Sequence, residues 1–207
     1  MVDVKPPPPL RNINPQTVTL APNTKVRRIY DPTKYNATAT GFRSYGPVSR
    51  FDHHSSEDPR EDLKRRIIYA GFTLSCCIAE YFGDGEIINV ENVKLAIIYL
   101  DKELNLLDLR GKAAMAAGTV TAISGITQRQ IAQSWGKYFY EHIELYGKVD
   151  GLLFSGAHNG ENAIALYERA ESIIHSSKVK TIDMASDTLR STIIHIAEEQ
   201  GLDIETY

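Results

Sequence analysis

The amino-acid sequence predicts an α+β fold. Segments with the apolar pattern of strands are mixed with segments of helical periodicity, and strands and helices do not alternate regularly along the chain. The chain has 207 residues, a length that suits one well-buried core better than two full-sized domains. Its hydrophobic fraction of 43% and charged fraction of 24% are typical of a folded globular protein.

The N-terminal segment is rich in proline. The four prolines at 6–9, together with Pro15 and Pro22, remove backbone donors and favour extended geometry. We therefore predict that residues 1–24 form a flexible arm. A Pro-rich docking peptide is the functional alternative, although no aromatic or basic pattern accompanies the prolines.

The next segment alternates regular elements with two irregular stretches. Residues 35–50 are rich in Thr, Ser, Gly and Tyr and predict a long loop, whereas residues 53–66 are dominated by charge and predict an exposed insertion. The regular elements predicted here are strands at Lys25–Tyr30 and 67–70, and a helix that Thr73 or Ser75 caps and that ends near Phe82, before Gly83 and Gly85.

The rest of the chain carries the clearest helices. Apolar side chains recur at helical spacing over residues 127–145, with Trp135 on that face, and over residues 183–200, where Gly201 follows as a stop signal. Trp135 is expected to lie in the core. The other predicted elements are strands at 93–100, 104–109, Gly151–Ser155 and 162–168, and a short helix at 112–117.

Charge and cysteine usage exclude several classes of partner and location. A net charge of −3 provides no basic field for nucleic acid. The two cysteines, Cys76 and Cys77, are adjacent and are predicted to be buried thiols of a reducing cytoplasm. We expect neither a signal peptide nor a membrane span, because no apolar run approaches the roughly 20 residues that cross a bilayer.

The histidines and glycines do not form a metal or redox-cofactor motif. His53 and His54 follow Asp52, but the six histidines lack the spacing of zinc ligands, so no metal is expected. The fingerprint of a redox dinucleotide site is also missing, because Gly83-Asp84-Gly85 stops short of it.

Three short strings occur in a specific order. They are Arg50-Phe51-Asp52, then Tyr69-Ala70 with Glu80 eleven positions after the tyrosine, then 150–155 with the sequence Asp-Gly-Leu-Leu-Phe-Ser. Together with Trp135 between the second and third, this order resembles the RES-domain family over about residues 25–172. The resemblance implies an NAD-degrading enzyme with a fold like that of ADP-ribosyltransferases, typically the toxin of a bacterial toxin–antitoxin pair. It also places a catalytic domain at 25–174 and a C-terminal helical extension, packed on the same domain, at 175–207.

Glu80 is the first candidate for a catalytic residue. It is the single acid in an otherwise apolar or small run from 67 to 82, so it either faces solvent at the helix end or serves a function. The resemblance implies the second alternative. A carboxylate beside the ribose stabilises the oxocarbenium-like state through which the nicotinamide–ribose bond breaks.

The resemblance assigns four further site residues. Tyr69, otherwise an ordinary core aromatic, becomes the ring that packs on nicotinamide. Arg50, otherwise a surface arginine or a partner of Asp52, becomes a guanidinium in the NAD pocket. Arg28 is a second such arginine, ranked below Arg50 because Arg27 beside it leaves the register open by one residue. Ser155 becomes a hydrogen-bonding residue of the active site, although Gly156 stands where family members often carry arginine.

The resemblance thus implies an NAD-consuming enzyme that needs no bound cofactor. The acceptor of ADP-ribose is water or inorganic phosphate, and the alternatives are an ADP-ribosyltransferase that modifies a protein and a non-catalytic binding module. The expected partners are NAD+ and a co-encoded Xre-type antitoxin in a hetero-oligomer. The helix predicted at 183–200 offers a face for a homodimer.

Overall fold

The computed structural model describes residues 3–206. Its strands are β1 (Thr17–Leu20), β2 (Lys25–Tyr30), β3 (Tyr45–Gly46), β4 (Arg60–Glu61), β5 (Ile67–Gly71), β6 (Ile87–Asn89), β7 (Lys94–Tyr99), β8 (Leu104–Asp108), β9 (Gly151–Ser155), β10 (Asn162–Tyr167), β11 (Lys178–Asp183) and β12 (Asp203–Thr206). Its helices are α1 (Leu74–Phe82), α2 (Gly111–Ala116), α3 (Arg129–Glu141), α4 (Ile143–Tyr146), α5 (Glu171–Ser176) and α6 (Asp187–Gln200), with short 3-10 turns at Thr121–Ser124 and Glu168–Ala170.

Eight strands form one mixed sheet in the order β1-β8-β9-β10-β5-β2-β7-β11. Only β8 and β9 are parallel neighbours in it, and the other adjacent strands are antiparallel. The predicted α+β class, with a mixed β core and flanking helices, is confirmed.

The middle of this sheet is open. Strands β2 and β5 are paired through a single register position, Arg27 opposite Gly71, whereas β2 and β7 are paired over six positions. Beyond that one pair, the backbones of β2 and β5 separate. An opening of this kind leaves backbone and side chains of both strands available to a ligand.

Apolar side chains fill both faces of the sheet. One cluster packs α3 on the sheet around Trp135, Phe139 and Phe154, and a second lies on the other face around Ile68, Ile164 and Leu166. A third cluster joins α1 and α6, with Ile78 of α1 and Ile193 of α6 both fully buried. The helix α6 therefore lies against the helix that carries Glu80. The core position predicted for Trp135 is observed, and its indole Nε1 donates to the backbone oxygen of Lys5 at 2.7 Å.

The N-terminal segment is not the flexible arm that its prolines predict. The described residues do not include 1 and 2 of that segment or 207 of the C-terminal extension. Strand β1 pairs with β8 at the edge of the sheet, and Val4 is buried in the cluster around Trp135. Proline lacks an amide donor but still packs its ring, so a Pro-rich segment can lie fixed along a domain when neighbouring residues supply strand pairing.

Two other predictions are corrected. The segment 53–66 is predicted to be an exposed insertion, but its first two residues, His53 and His54, are buried. The residues that follow them are largely exposed. The helix predicted over 127–145 is two helices, α3 and α4, separated at His142. The backbone of His142 (φ −94°, ψ 66°) leaves the helical conformation, although its amide still donates to the carbonyl of Tyr138.

Candidate functional site

A cavity lies where the sheet opens between β2 and β5. It has a volume of ≈ 270 Å³, and its lining contains Arg27, Arg28 and Ile29 of β2, all five residues of β5, Cys76, Cys77, Glu80 and Tyr81 of α1, Arg43 of the loop before β3, Phe154 of β9, and Ala163 and Ile164 of β10. Apolar side chains thus form much of the wall, and a few charged groups converge on it. This combination is typical of small-molecule sites.

Three arginines line the cavity. Arg28 donates to the carbonyl of Gly41 at 2.6 Å, Arg27 donates to the carbonyl of Phe72, and Arg43 donates to the carbonyl of Tyr45. Burial lowers the pKa of Arg28 to about 10, which still leaves the group cationic at neutral pH. Arg43 is also paired with the carboxylate of Asp52, so the charges of Arg27 and Arg28 are the ones that suit the cavity to an anionic ligand such as a phosphate diester.

Glu80 lies at the cavity on the last turn of α1. Thr73 caps this helix, since its hydroxyl accepts from the amide of Cys76 at 2.9 Å. One third of the Glu80 side chain is exposed (33%), so the carboxylate is open to a ligand. Its Oε1 lies 3.4 Å from both the amide nitrogen and Nδ1 of His158.

Tyr69 lines the cavity with a fixed hydroxyl group. The hydroxyl donates to Asp52 Oδ1 at 2.9 Å and accepts from the amide of Phe51 at 3.0 Å. Burial, with the charge of Asp52 as the next cause, raises the pKa of Tyr69 well above its ordinary value. The phenol is therefore neutral at physiological pH, and the ring is the part of Tyr69 that can contact a ligand.

Asp52 organises this side of the site. Its carboxylate is buried and accepts from Arg43 Nη2 at 2.8 and 2.9 Å, and from the amides of Val48 and Ser49 at 2.6 and 2.9 Å. Together with the hydrogen bond from Tyr69 to Asp52, these bonds hold the loop that carries Arg43 against β5. The sequence offered Asp52 as a partner of Arg50, but its partner is Arg43.

Arg50 and Ser155 do not line the cavity, in contrast to Arg28, Tyr69 and Glu80. Arg50 Nη1 donates to the carbonyl of Ile126 at 2.6 Å. Burial lowers the pKa of Arg50, and the charge of Glu80, the next cause, partly offsets this, so the two side chains are electrostatic neighbours. Ser155 is the last residue of β9, directly after the cavity residue Phe154 and opposite Asn162 of β10.

The two thiols at the cavity are neutral. Burial raises the pKa of Cys77 to about 12 and that of Cys76 further. Cys76 donates weakly to the carbonyl of Asn162 at 3.4 Å, and Cys77 donates to that of Arg27 at 3.2 Å. Gly71 makes their positions possible, because a Cβ there would lie 2.9 Å from the sulfur of Cys76. The expected buried thiols are observed, and they are not nucleophiles.

Sequence reasoning missed three polar residues that surround the site: Arg43, His158 and Glu161. Glu161 accepts from the hydroxyls of Thr73 and Ser75, and from Asn159 Nδ2 at 2.9 Å, beside the N-terminus of α1. A carboxylate at a helix N-terminus stabilises the helix through its macrodipole. Asp52, by contrast, had a signal in the sequence, since it stands in the string Arg50-Phe51-Asp52.

Comparison with known proteins agrees with this architecture. The family model described as the RES domain matches residues 25–188. The chain belongs to the RES-domain family. The fold of this RES domain is similar to that of a chain in the crystal structure of the M. tuberculosis MbcT–MbcA toxin–antitoxin complex, with a TM-score of 0.53 and 14% identity over 88% of this chain and 91% of the other. A search of curated proteins gave no significant match.

Two observations concern metals and membranes. Within residues 3–206, no cluster of three or more His, Cys, Asp or Glu side chains is arranged to hold a metal ion. Within the same residues, none of the helices has the length and hydropathy needed to cross a bilayer.

Proposed function

We propose that this RES domain cleaves the nicotinamide–ribose bond of NAD+. The observation that carries the proposal is the position of the Glu80 carboxylate at a cavity that Arg27, Arg28 and Arg43 also line. NAD+ combines the two matching features, a cationic glycosidic centre and a pyrophosphate. The cavity, at ≈ 270 Å³, is small for a whole dinucleotide, so we assign it to the nicotinamide–ribose end together with the adjoining part of the pyrophosphate.

The chemistry follows from the charges. As the glycosidic bond breaks, positive charge develops on the ribose, and the Glu80 carboxylate stabilises it and accepts a hydrogen bond from a ribose hydroxyl. The guanidinium groups hold the pyrophosphate, and the ring of Tyr69 packs on the departing nicotinamide. NAD+ is a substrate here, and no bound cofactor or metal takes part. Arg50 and Ser155 remain predicted site residues, and for both we expect effects on the geometry of Glu80 and the neighbouring β9–β10 loop.

The acceptor is water or inorganic phosphate, and one experiment decides both the reaction and the acceptor. Purified protein is incubated with NAD+ with and without phosphate, and the products are identified by mass spectrometry. Free ADP-ribose indicates hydrolysis, ADP-ribose 1″-phosphate indicates phosphorolysis, and ADP-ribose on protein indicates a transferase. NAD+ that stays intact in both mixtures contradicts the proposal and favours a non-catalytic binding module.

The same activity suits the toxin of a toxin–antitoxin pair in the cytoplasm. Support comes from membership of the RES-domain family and from the fold shared with a chain of the MbcT–MbcA toxin–antitoxin complex. A cell must restrain an enzyme that drains NAD+, so we propose a co-encoded antitoxin, of the Xre type, that blocks the cleft in a hetero-oligomer. Self-association of the chain into a homodimer is the further assembly that we propose.

Growth of cells after induction of this chain alone tests the toxin role. We expect arrest and a fall in intracellular NAD+ with the wild-type protein, and neither with Glu80→Gln at equal expression. The matched control is Glu103→Gln, at an exposed glutamate in the turn between β7 and β8. Normal growth with unchanged NAD+ on induction of the wild type would rule the toxin role out.

A further inference from the structure

The geometry points to His158 as a positioning residue for Glu80. The imidazole of His158 links the Glu80 carboxylate to Asp84 and so fixes the orientation of that carboxylate. The inference rests on the proposed function for its catalytic meaning, but the contact itself can be tested separately. His158 lies in the loop between β9 and β10, three residues after Ser155. No pattern in the sequence marks it as a site residue.

The two ring nitrogens of His158 face two carboxylates. Nδ1 lies 3.4 Å from Glu80 Oε1, and Nε2 lies 3.1 Å from Asp84 Oδ1. The backbone amide of His158 approaches the same Glu80 oxygen at 3.4 Å. Both contacts with Glu80 thus fall on Oε1, which leaves Oε2 to act on a ligand.

Two glycines allow this approach. A Cβ at Gly83 would lie 2.5 Å from Cδ2 of the His158 ring, and a Cβ at Gly156 would lie 2.8 Å from Glu80 Oε1. A side chain at either position would force the imidazole of His158 or the carboxylate of Glu80 to shift. The end of α1 and the start of the β9–β10 loop therefore both lack the atoms that would keep the imidazole and the carboxylate apart.

The protonation state of the imidazole decides how many carboxylates it can donate a hydrogen bond to. A neutral imidazole has one N–H and donates to Glu80 or to Asp84, whereas an imidazolium donates to both. The hydrogen bond from His158 is the main cause that lowers the pKa of Asp84. The other charged groups on this side are Arg129, which lies 3.3 Å from Asp84 Oδ2, and Arg50, which is an electrostatic neighbour of Glu80.

Orientation of Glu80 affects catalysis and not ligand affinity in this scheme. A carboxylate that turns away from the ribose stabilises the transition state less, while the arginines still hold the pyrophosphate. Loss of the imidazole should therefore lower kcat and leave KM nearly unchanged.

The variants are His158→Gln, which keeps one neutral donor, and His158→Ala, which keeps none. For His158→Ala we expect kcat to fall about fivefold, the upper range for interactions of partly exposed charges, with KM within about twofold of wild type. For His158→Gln we expect a smaller loss of kcat, because the side-chain amide still donates to one carboxylate. The control is His195→Gln, because the exposed His195 pairs at 3.4 Å with Glu199 on α6 and not with Glu80 or Asp84.

A second measurement needs no activity. In protein labelled with ¹⁵N-histidine, NMR spectra between pH 5 and 8 report the ring nitrogens directly. We expect Glu80→Gln and Asp84→Asn each to shift the ring resonances of His158 and to leave those of His195 in place. Unchanged His158 resonances in Glu80→Gln, or a wild-type kcat in His158→Ala, would overturn the inference. A wild-type protein that leaves NAD+ intact would instead contradict the proposed function, and the NMR result would still decide the contact.

Discussion

The hydroxyl of Tyr69 donates a hydrogen bond of 2.9 Å to the carboxylate of Asp52. This bond joins β5, beside the opening in the middle of the sheet, to the loop that carries Arg43, because the same carboxylate also accepts from Arg43. One buried acid thus fixes both an aromatic ring and a cation at the cavity. Hydrogen bonds to a buried charge are among the stronger ones, and their loss leaves the charge unsatisfied.

The first prediction concerns this bond. Tyr69→Phe removes the donor to Asp52 and the acceptor for the amide of Phe51, but keeps the ring. We expect unfolding to be easier by about 1–3 kcal/mol, while cleavage of NAD+ falls far less than in Tyr69→Ala, where the ring is lost as well. Urea denaturation and steady-state kinetics measure the two effects. Equal kinetic losses in both variants would show that the ring itself contributes nothing to substrate binding.

The second prediction concerns Glu80. Glu80→Gln keeps the size of the side chain and removes its charge, so we expect NAD+ cleavage to fall about a hundred- to a thousandfold, which corresponds to ~2.7–4 kcal/mol of transition-state stabilisation. Because a third of the side chain is exposed, the melting temperature should stay close to that of the wild type. Wild-type turnover in the variant would show that the charge of Glu80 takes no part in the reaction.

The position of Glu80 could be predicted from local sequence, whereas its surroundings could not. The cap at Thr73 and the glycines after Phe82 define α1, and the acid within that apolar run is visible in the sequence. Its neighbour His158 comes from a loop about 80 residues further along the chain, and only the pairing of β5 with β10 brings that loop to α1. Local sequence patterns do not predict contacts between residues that lie so far apart along the chain.

The segment 35–66 shows a second limit. Its charges and its lack of periodicity predicted a loop and an exposed insertion, yet Asp52, His53 and His54 are buried. Each has a partner from a distant element or from the loop itself: His53 pairs with Glu168 at 2.9 Å, and His54 with the carbonyl of Ser44 at 3.0 Å. Polarity predicts exposure only where no partner is present, and partners are a property of the folded chain.

The third prediction compares the two arginines of the sequence match. Arg28 lines the cavity and Arg50 does not, although the sequence ranked Arg50 first. We expect Arg28→Lys to raise KM for NAD+ about tenfold, because an ammonium replaces a planar two-pronged donor and is readily deprotonated where burial is strong. Arg50→Ala should act mainly on kcat through its charge beside Glu80, and Arg50→Lys should restore little of the loss if its bond to Ile126 sets the geometry.

The control for the arginines is Arg60→Lys, at an exposed position on β4. Steady-state kinetics with NAD+ over a range of ionic strengths measure both parameters. A KM for Arg28→Lys equal to that of Arg60→Lys would place the pyrophosphate away from Arg28. A wild-type kcat in Arg50→Ala would show that Arg50 has a structural role and no effect on the reaction.

The last prediction concerns stability in acid. Burial lowers the pKa of His53 below its ordinary value of 6.5, and it outweighs the hydrogen bond with Glu168. For Glu168, burial acts to raise the pKa, but the hydrogen bonds from His53 and Tyr140 outweigh burial and hold it below 4.5. Both groups therefore bind protons more readily in the unfolded chain, so acid favours unfolding. The contribution of His53 is complete above about pH 6.5 and is lost as the pH falls through its folded pKa, and that of Glu168 is lost below about pH 4.5.

Urea denaturation at intervals from pH 7.5 to 4 measures this dependence. We expect the wild-type midpoint to fall between about pH 6.5 and 5, before the surface carboxylates titrate. His53→Gln keeps a donor to Glu168 but cannot take up a proton, so its midpoint should start lower at pH 7.5 and stay flatter over that interval. His195→Gln, at an exposed histidine, should follow the wild-type curve. A His53→Gln curve parallel to that of the wild type would show that His53 is not the group whose protonation destabilises the fold.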